Sequence, residues 1–201
     1  YIQNYEFQMI LSKKILSILA LCFSGLTSPV LAEYEYKGLY ATGYVGVNQV
    51  TDLDFGGAVG TLGFDPGIEM QAGLGYDFGR FRIEGLFNRS GSDFEDTKES
   101  STYVDIISST WVANVLVDFE NDSKFITSLG LGIGSTKHEV TGAEDTVLNT
   151  DLIAGIGYKI TDNSYLDMKY TYRIYDEITF GDIKISDESS QSLLAGLRFN
   201  F

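Results

Sequence analysis

Counting back in twos from the end of the chain, Phe201, Phe199, Leu197, Ala195 and Leu193 fall on one face of an extended segment. The alternate positions are Asn200, Arg198, Gly196, Leu194 and Ser192, mostly small, polar or charged. Successive side chains of a strand point to opposite sides, so this is a strand with one apolar, aromatic-ended face. The alternation is cleaner over 68–78. There Ile68, Met70, Ala72, Leu74, Tyr76 and Phe78 share a face, and Glu69, Gln71, Gly73, Gly75 and Asp77 share the other.

The same pattern predicts eight strands in all, over 39–48, 68–78, 81–89, 110–119, 125–134, 151–160, 165–175 and 191–201. A strand tilted by about 45° crosses the hydrocarbon of a bilayer in roughly 9–11 residues, and these lengths fit. One face is free of charge throughout; Trp111, Ala113, Val115 and Val117 are typical of it, as are Leu166, Met168, Tyr170 and Tyr172. The other face holds Glu69, Asp77, Glu84, Asp118, Asp151 and Asp167 against Arg82, Lys159, Lys169, Arg173 and Arg198. Charges on a water-soluble sandwich need not balance. Ions turned inward, away from lipid, must nearly do so, because an unpaired one is costly there. The near-balance therefore points the apolar face at lipid and the ions at a lumen.

Connection lengths agree with an all-β, eight-stranded antiparallel up-and-down transmembrane barrel. Gly79-Arg80, Glu120–Lys124 and Thr161–Ser164 are short, and 49–67, 90–109, 135–150 and 176–190 are long. Short periplasmic turns alternating with longer outer loops mark this class. Pairing Phe78 with Phe81 sets Asp77 opposite Arg82, and pairing Ile160 with Leu166 sets Lys159 opposite Asp167. Both are opposite-charge pairs on the inward face. Above them, Glu84, Lys169, Arg173 and Arg198 are expected to complete a lumen-filling ion network, with Tyr40 and Tyr44 also inward. An eight-stranded barrel is only wide enough inside for side chains to fill it. Phe78, Phe81, Phe119, Phe125, Tyr158, Phe199 and Phe201 gather at the strand ends of the short-turn side, as an interfacial girdle would.

Composition supports the same class. The chain has 22 Gly, 13 Tyr and 13 Phe but only 2 Pro, 1 Trp and 1 Cys, and small and aromatic residues in alternation suit a curved wall in a membrane. A net charge of −14 excludes a nucleic-acid partner, which would need a basic patch. The long apolar run near the start divides into Lys13-Lys14, an apolar core over 15–23 and the small-residue site Val30-Leu31-Ala32. That is the form of a secretory signal peptide spanning 9–32, with cleavage expected between Ala32 and Glu33. Residues 1–8 precede Met9 and read as spurious upstream sequence, leaving 33–201 as the barrel domain. Cys22 falls within the leader, so no disulfide framework is expected in the mature chain.

Three segments carry a resemblance: Gly75-Tyr-Asp-Phe-Gly-Arg-Phe-Arg-Ile-Glu-Gly85, Gly155-Ile-Gly-Tyr158 and Leu194-Ala-Gly-Leu-Arg-Phe-Asn-Phe201. The chain resembles the small OmpA-like or opacity-type barrels of the surface-antigen superfamily. The resemblance implies a bacterial outer-membrane location and contact with outer-membrane lipid and lipopolysaccharide. It also implies that assembly machinery reads a terminal aromatic strand, here Phe199 and Phe201.

Three functional classes follow: a surface protein displaying four acidic loops, a narrow pore, and a lipid-modifying enzyme. The enzyme reading would have to use His138, the single histidine, in Ser135-Thr-Lys-His-Glu139. A pair from Ser135 and His138 is conceivable, but a lone loop histidine beside a serine is ordinarily solvated. Ligation of zinc by His138 and Glu139 lacks the further His or Cys it needs. The expectation is therefore no enzyme, no cofactor and no resident metal. The acids assigned to outer loops, among them Asp52, Asp96, Glu99, Glu139, Glu144, Asp145, Asp182 and Glu188, favour a surface protein, with Ca²⁺ or Mg²⁺ bridging carboxylates to lipopolysaccharide phosphates as its sharper form.

Overall fold

The computed structural model describes residues 37–50, 53–54, 61–62, 66–93, 105–120, 123–140, 143–176, 178–180, 183–185 and 188–201. The expected leader and its Ala32–Glu33 cleavage site lie outside the described residues, as do Asp52, Asp96, Glu99 and Asp182.

Among the described residues twelve strands follow one another: β1 (Gly38–Val50), β2 (Leu53–Asp54), β3 (Thr61–Leu62), β4 (Gly67–Asp77), β5 (Phe81–Asp93), β6 (Asp105–Glu120), β7 (Phe125–Val140), β8 (Ala143–Lys159), β9 (Ser164–Tyr175), β10 (Ile178–Phe180), β11 (Ile183–Ile185) and β12 (Ser189–Asn200). Eight close into one antiparallel barrel in the order β1-β12-β9-β8-β7-β6-β5-β4, while β2–β3 and β10–β11 form separate two-stranded ribbons. Closure joins the first strand to the last: Tyr40 lies opposite Asn200 on one side and Gly75 on the other. The Phe201 amide then donates to the Leu39 carbonyl at 3.0 Å, so the backbone edge is paired up to the final residue. A closed sheet is what a span needs, because lipid offers an open edge no hydrogen bonds.

The barrel is apolar outside and ionic inside. Trp111, Leu131 and Ile133 are 61–73% exposed on the outer wall, whereas Glu69, Asp151 and Arg198 are 0–2% exposed within it. Outward aromatics meet in pairs at the short-turn end: Phe78 stacks on Phe81 at 4.6 Å, Phe125 tilts against Tyr158 at 5.1 Å, and Phe199 meets Phe201 edge-on at 5.5 Å. Inside, close approach depends on glycine at one crossing in particular. A Cβ on Gly75 would run into the ring of Tyr40, the largest fully buried side chain of the lumen.

Two expectations need correction. The stretch 135–150, expected to be a long outer loop, is mostly strand: β7 and β8 run on as a paired ribbon until Val140 faces Ala143. The 90–109 loop is likewise shortened by strand at both ends, to Asp93 and from Asp105. Above the lipid the outer face meets water while the inner face, with Thr136, His138 and Asn149, stays buried, so the apolar alternation stops while backbone pairing continues. The second correction is register. Lys159 faces Tyr165, and Asp167 faces Gly157, so Lys159 and Asp167 are not opposite. The turn is set by backbone bonds, with the Ile160 and Thr161 amides both reaching the Ser164 carbonyl at 2.9 and 3.2 Å. This moves the pairing by two residues.

Candidate functional site

The ions of the lumen sort into four near one-to-one pairs. Arg82 (β5) forks onto Asp118 (β6), Nε to Oδ2 at 2.6 Å and Nη2 to Oδ1 at 3.1 Å. Arg173 (β9) does the same to Asp151 (β8), with both bonds at 2.8 Å. Arg198 (β12) donates from Nε to Asp167 (β9) at 3.1 Å. Lys169 (β9) lies 3.9 Å from Glu84 (β5). Bidentate arginine–carboxylate contacts fix geometry as well as charge, and all eight of these groups are at most 7% exposed.

Tyrosines fill the space between the pairs. The Tyr40 hydroxyl donates to Glu84 at 3.1 Å and Tyr44 donates to Asp167 at 3.3 Å. The Lys169 ammonium sits 4.0 Å from the Tyr44 ring centroid, and the Arg198 guanidinium 4.2 Å from that of Tyr165; a cation over an aromatic face gains from the ring quadrupole. Against the glycine wall at Gly155 and Gly157 a cavity of about 10 Å³ remains, lined also by Arg82, Ser128 and Asp167. That is room for about one water.

The structure thus brings Arg82, Glu84, Asp167, Lys169, Arg173 and Arg198 into the lumen, but it distributes their partners differently from the sequence expectation. Asp77 and Arg82 do face each other across β4 and β5. Their charges are spent elsewhere, however. Asp77 accepts the Gly79 amide at 2.7 Å, capping a turn in which Gly79 takes φ of 96°, a left-handed value suited to glycine. Arg82 reaches diagonally to Asp118. Lys159 is at the rim, 3.3 Å from the exposed Asp162. Asp118, Asp151 and Glu69, which the inward face already contained, are the partners that the expected network lacked.

His138 is buried, not solvated. It is 5% exposed on the lumen side of β7, its Nδ1 2.9 Å from the Ser108 hydroxyl and its ring edge-on to Tyr175 at 5.0 Å. Ser135 faces outward in the row Trp111–Ser135–Leu148, so strand parity alone separates it from His138. Lys137, held by Glu139 at 3.0 Å and Glu144 at 2.6 Å, lies in the next outward row, above the lipid-facing band; His138 is beyond it. Tyr175 also bonds Ser190 at 3.0 Å, and its amide meets the carbonyl of Glu188. His138, Tyr175, Ser190 and Glu188, each at most 8% exposed, close the outer mouth.

Burial disfavours the charged forms of both His138 and Glu188 at the mouth. Burial pushes the His138 imidazole down to about 4, with nearby Arg173 adding to the effect and Asp145 opposing it. Burial pushes the Glu188 carboxyl up to about 7. For His138 the unfolded chain binds the proton more readily than the folded one, so its contribution is full above pH 6.5 and is lost as pH falls towards 4. For Glu188 the folded chain binds it more readily, so the contribution is full below pH 4.5 and is lost as pH rises to 7. Urea unfolding of single variants in vesicles will separate them. His138→Asn should remove the acid-side loss and Glu188→Gln the other, each on the order of 1–3 kcal/mol. Profiles parallel to that of the unmodified protein would show that neither group is held at the closed mouth.

Comparison with known proteins gives the same architecture. The model of the outer membrane protein beta-barrel domain matches residues 18–201. No curated protein sequence matches. Among solved structures, Neisserial surface protein A is similar over 82% of this chain and 97% of its own, at 20% identity and a TM-score of 0.63. OprG, an outer membrane protein from Pseudomonas aeruginosa, is similar over 83% and 97%, at 14% identity and a TM-score of 0.52. At these identities the structural likeness speaks for the fold alone. With a match over nearly the whole barrel and a closed eight-stranded wall that is apolar outside and ionic within, the chain belongs to the outer-membrane β-barrel family.

Proposed function

We propose that this protein is a plugged anchor that holds four acidic outer connections, one of them the β7–β8 ribbon, at the bacterial surface, delivered there by a cleaved leader. The observation that carries the reading is the lumen: four ion pairs and stacked tyrosines cross it, and the cavity against its glycine wall has room for about one water. A scaffold that spends its interior on rigid pairing is suited to hold an outer surface still. The name of Neisserial surface protein A agrees with a surface role.

Contact with lipopolysaccharide fits the outer wall. Arg89, Ser109 and Lys137 form one outward row across β5, β6 and β7, immediately above the lipid-facing Phe87 and Trp111, whose rings meet at 4.8 Å. Cationic side chains at that height meet lipid phosphates, with Arg89 exposed and Lys137 shared with Glu139 and Glu144. At the opposite rim the exposed rings of Phe199 and Phe201 are available to assembly machinery.

Planar-bilayer recording tests the plug against the pore. The protein is expected to conduct little or nothing at moderate voltage. A large, steady current would overturn the anchor reading and promote a narrow pore.

A further inference from the structure

Among the described buried residues are four Lys or Arg side chains and seven acids; Glu188 belongs to the outer mouth, and six acids face the lumen below it. The pairs above use four acids, leaving Glu69 and Asp77. Each of these two stands 4.0 Å from an arginine already committed to another carboxylate: Glu69 from Arg173, and Asp77 from Arg198. Asp77 lies at the periplasmic rim and caps a turn. Glu69 is 0% exposed, high in the lumen. It accepts from Asn48 at 3.2 Å, from Gln71 at 2.7 Å and from the Ser192 hydroxyl. With Asp151 already forked onto Arg173, the Glu69–Arg173–Asp151 group sets two acids against one guanidinium. A buried excess charge is costly.

A second observation lies beside it. Gln71 turns its amide nitrogen to Glu69, and its Oε1 has no partner. Its cross-strand neighbour is Asn88, in which neither Oδ1 nor Nδ2 has one. The two side chains are 4% and 2% exposed. Buried amide atoms without partners are uncommon in folded proteins; Gln71 is bonded to Glu69, and Asn88 lies opposite Gln71. A water would satisfy the amides but not the charge.

We propose that the upper lumen holds one hard metal cation at Glu69, Gln71 Oε1 and Asn88 Oδ1. One carboxylate and neutral amide oxygens are the ligands that alkali and alkaline-earth ions accept. Among the described residues no three His, Cys, Asp or Glu side chains converge, which disfavours a transition metal at this place. The remaining coordination would come from water.

The test is urea unfolding of the full protein in phosphatidylcholine vesicles, followed by the fluorescence of Trp111, the sole tryptophan in the sequence. Ionic strength is held constant with choline chloride, whose cation is too bulky to enter a cage of oxygens. Sodium, potassium or calcium is then titrated in its place. A bound cation raises the ratio of folded to unfolded protein tenfold for each tenfold rise in its concentration above the dissociation constant. A response to sodium or potassium assigns a monovalent ion, and one confined to calcium a divalent ion. Glu69→Gln removes the excess charge. It should abolish the response and leave the protein at least as stable as the unmodified form in choline. Asn88→Leu keeps the charge, should also abolish the response, and serves if the first variant does not fold. Equal midpoints in all salts would overturn the site. So would a response that survives in these variants, since the acidic loops would then be its source. The readout is stability, so it is independent of whether the barrel conducts.

Discussion

Replacing Arg82 with alanine is expected to destabilise the barrel by about 3–5 kcal/mol, the cost of leaving a buried carboxylate without its partner. The group left behind is Asp118, 3% exposed, which loses two charge-assisted bonds at once. Tyr40 also loses a cation 5.6 Å from its ring. The double change Arg82→Ala with Asp118→Ala should recover much of the loss, because both ions then leave together. Arg82→Ala with Asp77→Ala should recover little and cost more, since Asp77 supports the Gly79 turn. Urea titrations of the three variants in vesicles give the comparison directly. Equal recovery with Asp77 and with Asp118 would mean that the diagonal fork is not the bond that holds Arg82.

The second large effect is expected on the outer wall. Leu131 is 61% exposed midway along the apolar face of β7, between the aromatic Phe125 and the charged Lys137. In a water-soluble sandwich, lysine at so exposed a position would cost almost nothing. Facing lipid near the bilayer midplane, Leu131→Lys should cost about 2–4 kcal/mol. The same change at Ser109, in the outward row level with Arg89 and Lys137, should cost at most about 1 kcal/mol, as near an interface. Unfolding in vesicles measures both. A Leu131→Lys variant as stable as its Ser109→Lys counterpart would mean that this face of the barrel does not meet hydrocarbon.

The contrast between these two predictions shows what could be read from residues alone. Which side a residue faces was legible, because parity is a property of the strand itself and one slip exchanges every side chain. The Gly79-Arg80 register was legible too, since a two-residue connection leaves the pairing little freedom. The turn after Lys159 was not. Its backbone bonds through Ser164 select between registers two apart that preserve the same facing pattern. Partner choice inside the lumen was likewise hidden. Asp77 is directly opposite Arg82, but an arginine is long enough for the diagonal contact, some 7–8 Å across a sheet, and the opposite aspartate is taken by a turn amide. His138 looked like a loop residue because periodicity in hydrophobicity ends where lipid ends, although the strand does not.

That overrun of the strands has a mechanical consequence. β7 is 16 residues long and β8 is 17; at about 3.4 Å per residue and a tilt near 45°, such strands rise roughly 38–41 Å, against an apolar band of about 25 Å. The ribbon therefore stands as a stiff mast above the bilayer, hydrogen-bonded as far as Val140 and Ala143. A binder that grips its flanks meets a backbone already ordered, and forfeits little conformational entropy on docking. A foreign peptide grafted at the tip, between those two residues, would be carried clear of the lipid surface on a support that does not yield.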